Sequence, residues 1–121
     1  MIKKILLLSV MCVAVDAAEF VHPMDFDGSE AQKTKVIDYI RTETRQRYCT
    51  GELAMCKPAT LRLMERSNLH AFKKLTQAKD RKLLDRLITD YCNGRRHMCT
   101  YNTLKLMYAN NLKAKHEKLT W

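Results

Sequence analysis

The sequence predicts an all-α protein, a small helical bundle built from two repeated helix-loop-helix hairpins that are each stapled by a disulfide. The 121 residues include only 3 Gly and 2 Pro, too few for the many tight turns of an all-β fold. A stretch of 24 residues recurs 43 residues further along the chain, and each copy carries two cysteines seven positions apart. Size excludes a long catalytic scaffold such as a barrel or a dinucleotide-binding fold.

The first 17 residues predict a secretory signal peptide. Lys3 and Lys4 form a positive start, and residues 5–15 form an apolar run that is too short to span a bilayer. Small residues at Val15 and Ala17 suit cleavage after Ala17. A buried N-terminal helix is the alternative, but two lysines before an unbroken aliphatic run favour export.

The sequence predicts three regions of the chain. We expect a signal peptide at 1–17, a polar N-terminal segment at 18–29 and a single α-helical domain at 30–121, located in the periplasm or secreted. The mature chain then holds four of the five cysteines, and an even count in a small exported domain indicates disulfides.

An internal repeat is the strongest pattern in the chain. Residues 48–71 align with residues 91–114 without gaps, and half of the 24 positions are identical. The identical pairs are Tyr48/Tyr91, Cys49/Cys92, Gly51/Gly94, Met55/Met98, Cys56/Cys99, Thr60/Thr103, Leu61/Leu104, Leu63/Leu106, Met64/Met107, Asn68/Asn111, Leu69/Leu112 and Ala71/Ala114.

Apolar residues at helical spacing predict a helix on each side of each cysteine-bracketed loop. The stripes before the loops are Val36, Ile37, Ile40, Thr44 and Tyr48, then Leu83, Leu84, Leu87, Ile88 and Tyr91. The stripes after them are Leu61, Met64, Asn68, Phe72 and Leu75, then Leu104, Met107, Tyr108, Asn111 and Leu112. We expect Pro58 in the first turn of one following helix and Thr100 as the cap of the other.

Two asparagines occupy the same repeat position on these stripes. We interpret Asn68 and Asn111 as seam residues that fix helix register by pairing with each other or with a backbone carbonyl. A polar contact to a ligand inside the bundle is the alternative.

We expect the disulfide framework to join Cys49 to Cys56 and Cys92 to Cys99. On one continuous helix such a pair would lie about 10.5 Å apart along the axis, beyond bridging reach. Each bond therefore requires a turn, for which Gly51 and Gly94 are placed. Crossed pairing is an alternative, and zinc binding is disfavoured because the spacing differs from structural zinc knuckles.

Positive charge is concentrated in the second half of the chain. Residues 19–43 hold six acids and three bases, whereas residues 44–121 hold 17 bases and six acids. The largest difference between the two repeats is Glu52-Leu53-Ala54 against Arg95-Arg96-His97. The candidate partner-binding residues are accordingly Arg95, Arg96, His97, Lys113 and Lys115.

These observations predict a non-enzymatic exported protein that binds an anionic partner, either a protein or an envelope component. Candidate roles are an inhibitor, an immunity factor or an accessory of an envelope or plasmid-transfer system. The alternatives are a membrane-active or toxic factor acting through the basic C-terminal helix, and a small nuclease. We expect no catalytic residues, cofactor or metal, because no motif or ligand spacing indicates one. Nucleic acid is a poor candidate partner and a membrane surface a better one.

Overall fold

Helices make up most of the chain in the computed structural model, which describes residues 18–50, 55–93 and 98–121. The helices in these ranges are α1 (Glu30–Cys49), α2 (Pro58–Leu75), α3 (Arg81–Cys92) and α4 (Tyr101–His116). A short 3-10 turn, Pro23–Asp25, precedes them, and these ranges include no strand. The prediction of an all-α protein is confirmed. The predicted signal peptide at 1–17 lies outside the described residues.

Local sequence explains where the helices begin. The Ser29 hydroxyl accepts from Gln32 N at 3.2 Å, the Asp80 carboxylate from Leu83 N at 3.0 Å and the Thr100 hydroxyl from Thr103 N at 3.2 Å. Such side-chain caps are each worth about 1 kcal/mol in a typical helix. α2 begins instead at Pro58, where the missing N–H would have had no partner. The expectations for Pro58 and Thr100 are confirmed.

Two disulfides, Cys49–Cys56 and Cys92–Cys99, close the connections between the helices of each pair. In both, the Cα atoms are 4.6 Å apart. The predicted pairing is confirmed, and the crossed pairing is wrong. We refer to α1 and α2 with their disulfide as the first helix pair, and to α3 and α4 with theirs as the second.

Packing places α2 and α4 against each other, with α1 on α2 and α3 on α4. Asn102 N, in the first turn of α4, donates to Asn68 Oδ1 in the middle of α2 at 3.1 Å. Further along α4, Tyr108 Oη accepts from Asp80 N at 3.1 Å, beyond the end of α2. α2 and α4 therefore run side by side in the same direction.

The core between the helices is built around aromatic rings. Tyr101 is fully buried and lies 4.8 Å from Phe72 between ring centroids, while Tyr39 lies 5.6 Å from Tyr101. The remaining buried apolar residues of the helices are Val36, Ile40, Leu61, Ala71, Leu75, Leu84, Leu87 and Leu104. Most belong to the predicted stripes, which placed the core faces of the helices correctly.

Two stripe residues depart from the prediction. Ile37 is exposed while Tyr39 is buried, because the buried face of α1 follows Val36, Tyr39 and Ile40. Asn68 is buried and donates to Met64 O at 2.9 Å, a backbone carbonyl as expected. Asn111 is exposed, so its assignment to an apolar stripe is wrong; the second half of α4 extends past α2 and has less protein to cover it.

The segment 18–29, predicted as polar, packs against all four helices. Val21 and Pro23 are buried, and Val21 O accepts from Tyr101 Oη at 2.8 Å. Phe20 stacks at 5.3 Å from Tyr101 and also contacts Tyr39, while Phe26 contacts Phe72. This segment is therefore part of the folded domain.

Candidate anion-binding groove

A groove lies between the start of α3 and the end of α4. Its volume is about 540 Å³, and five of its seven lining residues are polar or charged. The lining residues are Asp80, Lys82, Leu83, Arg86, Asn111, Ala114 and Lys115. The groove exists because α4 packs along α3 with its last turn beside the first turn of α3.

Two cations reach the groove from α3. Lys82 and Arg86 are four residues apart, so they lie one above the other on the face of α3 turned away from buried Leu84 and Leu87. Both are exposed, and neither has an ion pair within the part of the chain that the structure describes. Their charges are available to an anionic partner.

The third cation of the groove is already paired. Lys115 Nζ lies 3.0 Å from Asp80 Oδ2. The Leu83 backbone N–H, together with the Lys115 ammonium, lowers the pKa of Asp80 below its ordinary value, so this carboxylate is ionised at neutral pH. The groove therefore carries three positive charges against one negative charge.

Arg81 differs from Lys82 and Arg86 because acids of the folded domain neutralise it. Its guanidinium makes two bonds to Asp25, at 2.6 and 3.0 Å, and lies 3.6 Å from Asp85. The bond from Arg81 lowers the pKa of Asp25. Arg81 thus joins the 3-10 turn to α3, and its charge is not available to a partner.

The sequence-predicted site residues divide into two groups. Arg95, Arg96 and His97 lie outside the described residues. Lys113 and Lys115 lie exposed in the last turn of α4, where Lys113 Nζ is 3.7 Å from Glu117 Oε1.

Lys113 is twelve positions after Tyr101, so it lies about 18 Å along α4 from the first turn of that helix. Lys115, in the same last turn, lies beside Lys82 and Arg86.

Lys82 and Arg86 were missed by the sequence analysis. Their spacing on the polar face of a predicted helix is the signal that could have found them. Nothing in the sequence shows, however, that the last turn of α4 packs beside them, because that contact depends on tertiary packing.

A wider cleft of about 810 Å³ lies beside the second disulfide. Its lining is roughly half polar and half apolar, formed by Ala18, Phe20, Tyr39, Glu43, Gln46, Arg47, Thr50, Ile88, Cys92, Asn93 and Cys99. Burial, and secondarily the Glu43 carboxylate, raises the pKa of Tyr39, whose hydroxyl donates to Cys99 O at 2.6 Å. This phenol therefore stays protonated and serves the fold.

The histidine of the segment 18–29 is also committed to structure. His22 Nδ1 accepts from Met24 N at 3.0 Å, so its Nε2 carries the proton and donates to Asp85 Oδ1 at 2.6 Å. Both ring nitrogens are occupied, which leaves neither free to act as a base. Among the described residues, no three His, Cys, Asp or Glu side chains are grouped as metal ligands.

Two further findings bear on the class of protein. No helix within residues 18–50, 55–93 and 98–121 has the length and apolar character needed to cross a membrane. Comparison with protein-family models, curated proteins and solved structures found no match.

Proposed function

We propose that this protein is an exported, disulfide-stapled helical binding protein without catalytic activity, and that it binds an anionic protein partner. The observation that carries the proposal is the groove between α3 and α4, in which Lys82, Arg86 and Lys115 face a single acid, Asp80. Lys82 and Arg86 have no ion pair among the residues that the structure describes, and two such cations in a concave site suit carboxylates on a partner. Roles as an inhibitor, an immunity factor or an accessory of an envelope or transfer system require such binding.

Export rests on two observations. The disulfides indicate an oxidising compartment outside the cytoplasm. Residues 1–17 have the charge and hydropathy pattern of a cleaved signal peptide, which accounts for how the chain would reach that compartment.

We also infer that the two helix pairs are copies of one ancestral hairpin. Twelve identities in 24 aligned positions support this origin, and both disulfides bridge equivalent cysteines. Asn68 donates to Met64 O at 2.9 Å and Asn111 to Met107 O at 2.8 Å, which are equivalent bonds in the two copies.

The copies differ most in the residues 95–97, so the predicted basic loop remains a second part of the proposed binding surface. Replacing Arg95 and Arg96 together with Ala should shift the free energy of unfolding by less than about 0.5 kcal/mol, as surface substitutions usually do. The same change should weaken partner binding and reduce its salt sensitivity. Circular dichroism, thermal melting and a binding titration measure these effects.

The experiment that tests the groove is affinity capture of a partner from an envelope extract of the native host, followed by titration of the purified partner. Replacing Lys82 and Arg86 with Gln should weaken the complex by about tenfold, because two charges facing the partner are lost. The matched control replaces Arg45 and Lys57 with Gln, which removes the same charge at the opposite end of the bundle.

Equal affinity of the two double variants would contradict the groove as the binding site. Capture of a partner whose contact surface is basic would contradict an anionic partner.

A further inference from the structure

The segment that follows α4 leaves two large apolar side chains entirely in solvent. α4 ends at His116, and Glu117 has extended backbone angles, with φ −86° and ψ 144°. Beyond it, Leu119 and Trp121 are as exposed as in an open chain. We call residues 117–121 the exposed segment. The structure places Trp121 away from the bundle.

Positive charge surrounds the exposed segment. From Lys105 to Trp121 the chain holds four lysines, and Glu117 is the only acid. Lys113 and Glu117 are paired at 3.7 Å but are both well exposed, and Lys115 is paired with Asp80. Lys118 adds a charge between the pair and the two apolar residues, and Lys82 and Arg86 of the groove lie on the same end of the molecule.

A further exposed apolar side chain lies on α4. Leu106 is largely exposed and lies seven residues before Lys113, which places both on one side of the helix. This side is turned away from the buried Tyr101 and Leu104. Along the chain, Leu106 and Lys113 on α4 are followed by Leu119 and Trp121 in the exposed segment.

These residue types in this order match the chemistry of a lipid-water interface. Tryptophan rings favour the level of the headgroups, and lysine stems lie along apolar surface while their ammonium groups reach anionic phosphates. A basic region next to a few apolar residues binds reversibly to anionic membranes without crossing them. A pocket in a soluble protein could also take the two apolar side chains, but it would not account for the lysines around them.

We propose that the exposed segment, with Lys113 and Lys118, docks the protein onto the surface of an anionic bilayer. Leu119 and Trp121 enter the headgroup region and the lysines contact lipid phosphates. This inference goes beyond the binding of a protein partner, because the exposed segment lies outside the groove between α3 and α4.

The chain offers a direct reporter, since Trp121 is its only tryptophan. The purified, oxidised protein is titrated with vesicles of phosphatidylglycerol mixed with phosphatidylcholine, and with vesicles of phosphatidylcholine alone. We expect Trp121 fluorescence to shift to shorter wavelength only with the anionic vesicles, together with co-sedimentation that is lost at high salt. Loss of two lysine contacts should lower the partition coefficient by more than about tenfold in a Lys113→Gln/Lys118→Gln variant.

Three variants separate the contributions. Leu119→Ser keeps the fluorescent reporter and should weaken binding by about tenfold, because one apolar anchor is lost. Trp121→Ala removes the reporter, so its binding is measured by co-sedimentation, and we expect binding to weaken by about tenfold as well. The control Arg45→Gln/Lys57→Gln has the same net charge as the lysine double variant and should bind within about twofold of the unchanged protein.

Equal binding to neutral and anionic vesicles, or binding unaffected by the Leu119 and Trp121 changes, would overturn the proposal. So would a shift of Trp121 fluorescence caused by the captured protein partner with no binding to vesicles, since the segment would then serve a protein pocket. The groove variant Lys82→Gln/Arg86→Gln tests the partner complex separately, so either proposal can fail without the other.

Discussion

The two helix pairs share half of their aligned residues, but the folded molecule uses them differently. Cys49 and Cys56 of the first pair are exposed, whereas Cys92 and Cys99 of the second are half-buried against the core. Tyr39 on α1 bonds to Cys99 O, so the second disulfide is tied to the first helix pair. Similar local sequence therefore produces similar helices and disulfides, while tertiary packing decides how far the disulfide of each helix pair is buried.

The second helices of the pairs show the same difference. α2 buries Asn68 and Ala71, whose equivalents on α4, Asn111 and Ala114, are exposed. The end of α4 extends past its neighbour, which leaves polar and small side chains free to line the groove. We therefore propose the second pair, and not the first, as the carrier of the binding surface.

The largest effect should come from an aligned position at which a large side chain is buried in one pair only. Tyr101 is fully buried at the centre of the aromatic cluster, whereas its aligned counterpart, Pro58, is exposed. Tyr101→Ala should lower the free energy of unfolding by about 3–5 kcal/mol, as large-to-small core changes do. Pro58→Ala should change it by less than about 1 kcal/mol. Urea denaturation measures both, and similar values would contradict the packing described here.

The second-largest loss of stability should come from removing one disulfide at a time. Both close loops of the same length, so chain entropy predicts a loss of about 2–3 kcal/mol for each. Cys92→Ser/Cys99→Ser should cost about 1 kcal/mol more than Cys49→Ser/Cys56→Ser, because the second disulfide also packs against the core and positions the acceptor of Tyr39. Chemical denaturation of the two double variants tests this order, and the reverse order would contradict the comparison.

The two equivalent asparagines should show a smaller difference. Asn68 is buried and bonds both to Met64 O and to Asn102 N, whereas Asn111 is exposed and bonds only within its own helix. Asn68→Ala should cost about 1–2 kcal/mol, because Asn102 N loses its partner between α2 and α4. Asn111→Ala should cost less than about 0.5 kcal/mol. Thermal unfolding of the single variants distinguishes these outcomes, and equal costs would show that Asn68 does not link the helices.

The smallest effect should be a difference in how strongly acid weakens the capping of α1 and of α3. α1 is capped by the uncharged Ser29 and α3 by the carboxylate of Asp80. The Leu83 N–H and Lys115 lower the pKa of Asp80 below 3.8, so its stabilising contribution is present above that pH and is lost as the pH falls through the lowered value.

Thermal melts between about pH 2 and pH 6 measure this contribution. Asp80→Asn should lower the melting temperature at about pH 6, and its difference from the unchanged protein should shrink as the pH falls through the lowered pKa of Asp80. Ser29→Ala should lower it by a similar amount throughout this range. A constant difference for Asp80→Asn would show that its charge is not what stabilises the start of α3.

Much of the fold followed from local pattern, because helix periodicity, capping and cysteine spacing act over a few residues. Pro58, Thr100 and the two disulfides are examples. The burial of Val21 and Pro23 did not follow, since these residues lack a helical period and are buried by tertiary packing of the segment 18–29. Tyr101 was missed for a similar reason: it aligns with an exposed proline, and its burial depends on Phe20 and Phe72.

The candidate site was predicted in part. The concentration of charge in the second half and the choice of Lys115 came from the sequence. Lys82 and Arg86 required knowledge that the start of α3 packs beside the end of α4, about 30 residues further along the chain. Periodicity within one helix carries no information on such a contact.

The claim that the second helix pair binds the partner is tested most directly by mapping amide chemical shifts. The isotope-labelled protein is titrated with the captured partner and followed by two-dimensional nuclear magnetic resonance. We predict that the largest shifts fall at residues 82–86, 95–97 and 111–115, with small changes in α1 and α2. Shifts concentrated on α1 and α2, or spread evenly over the molecule, would contradict the account.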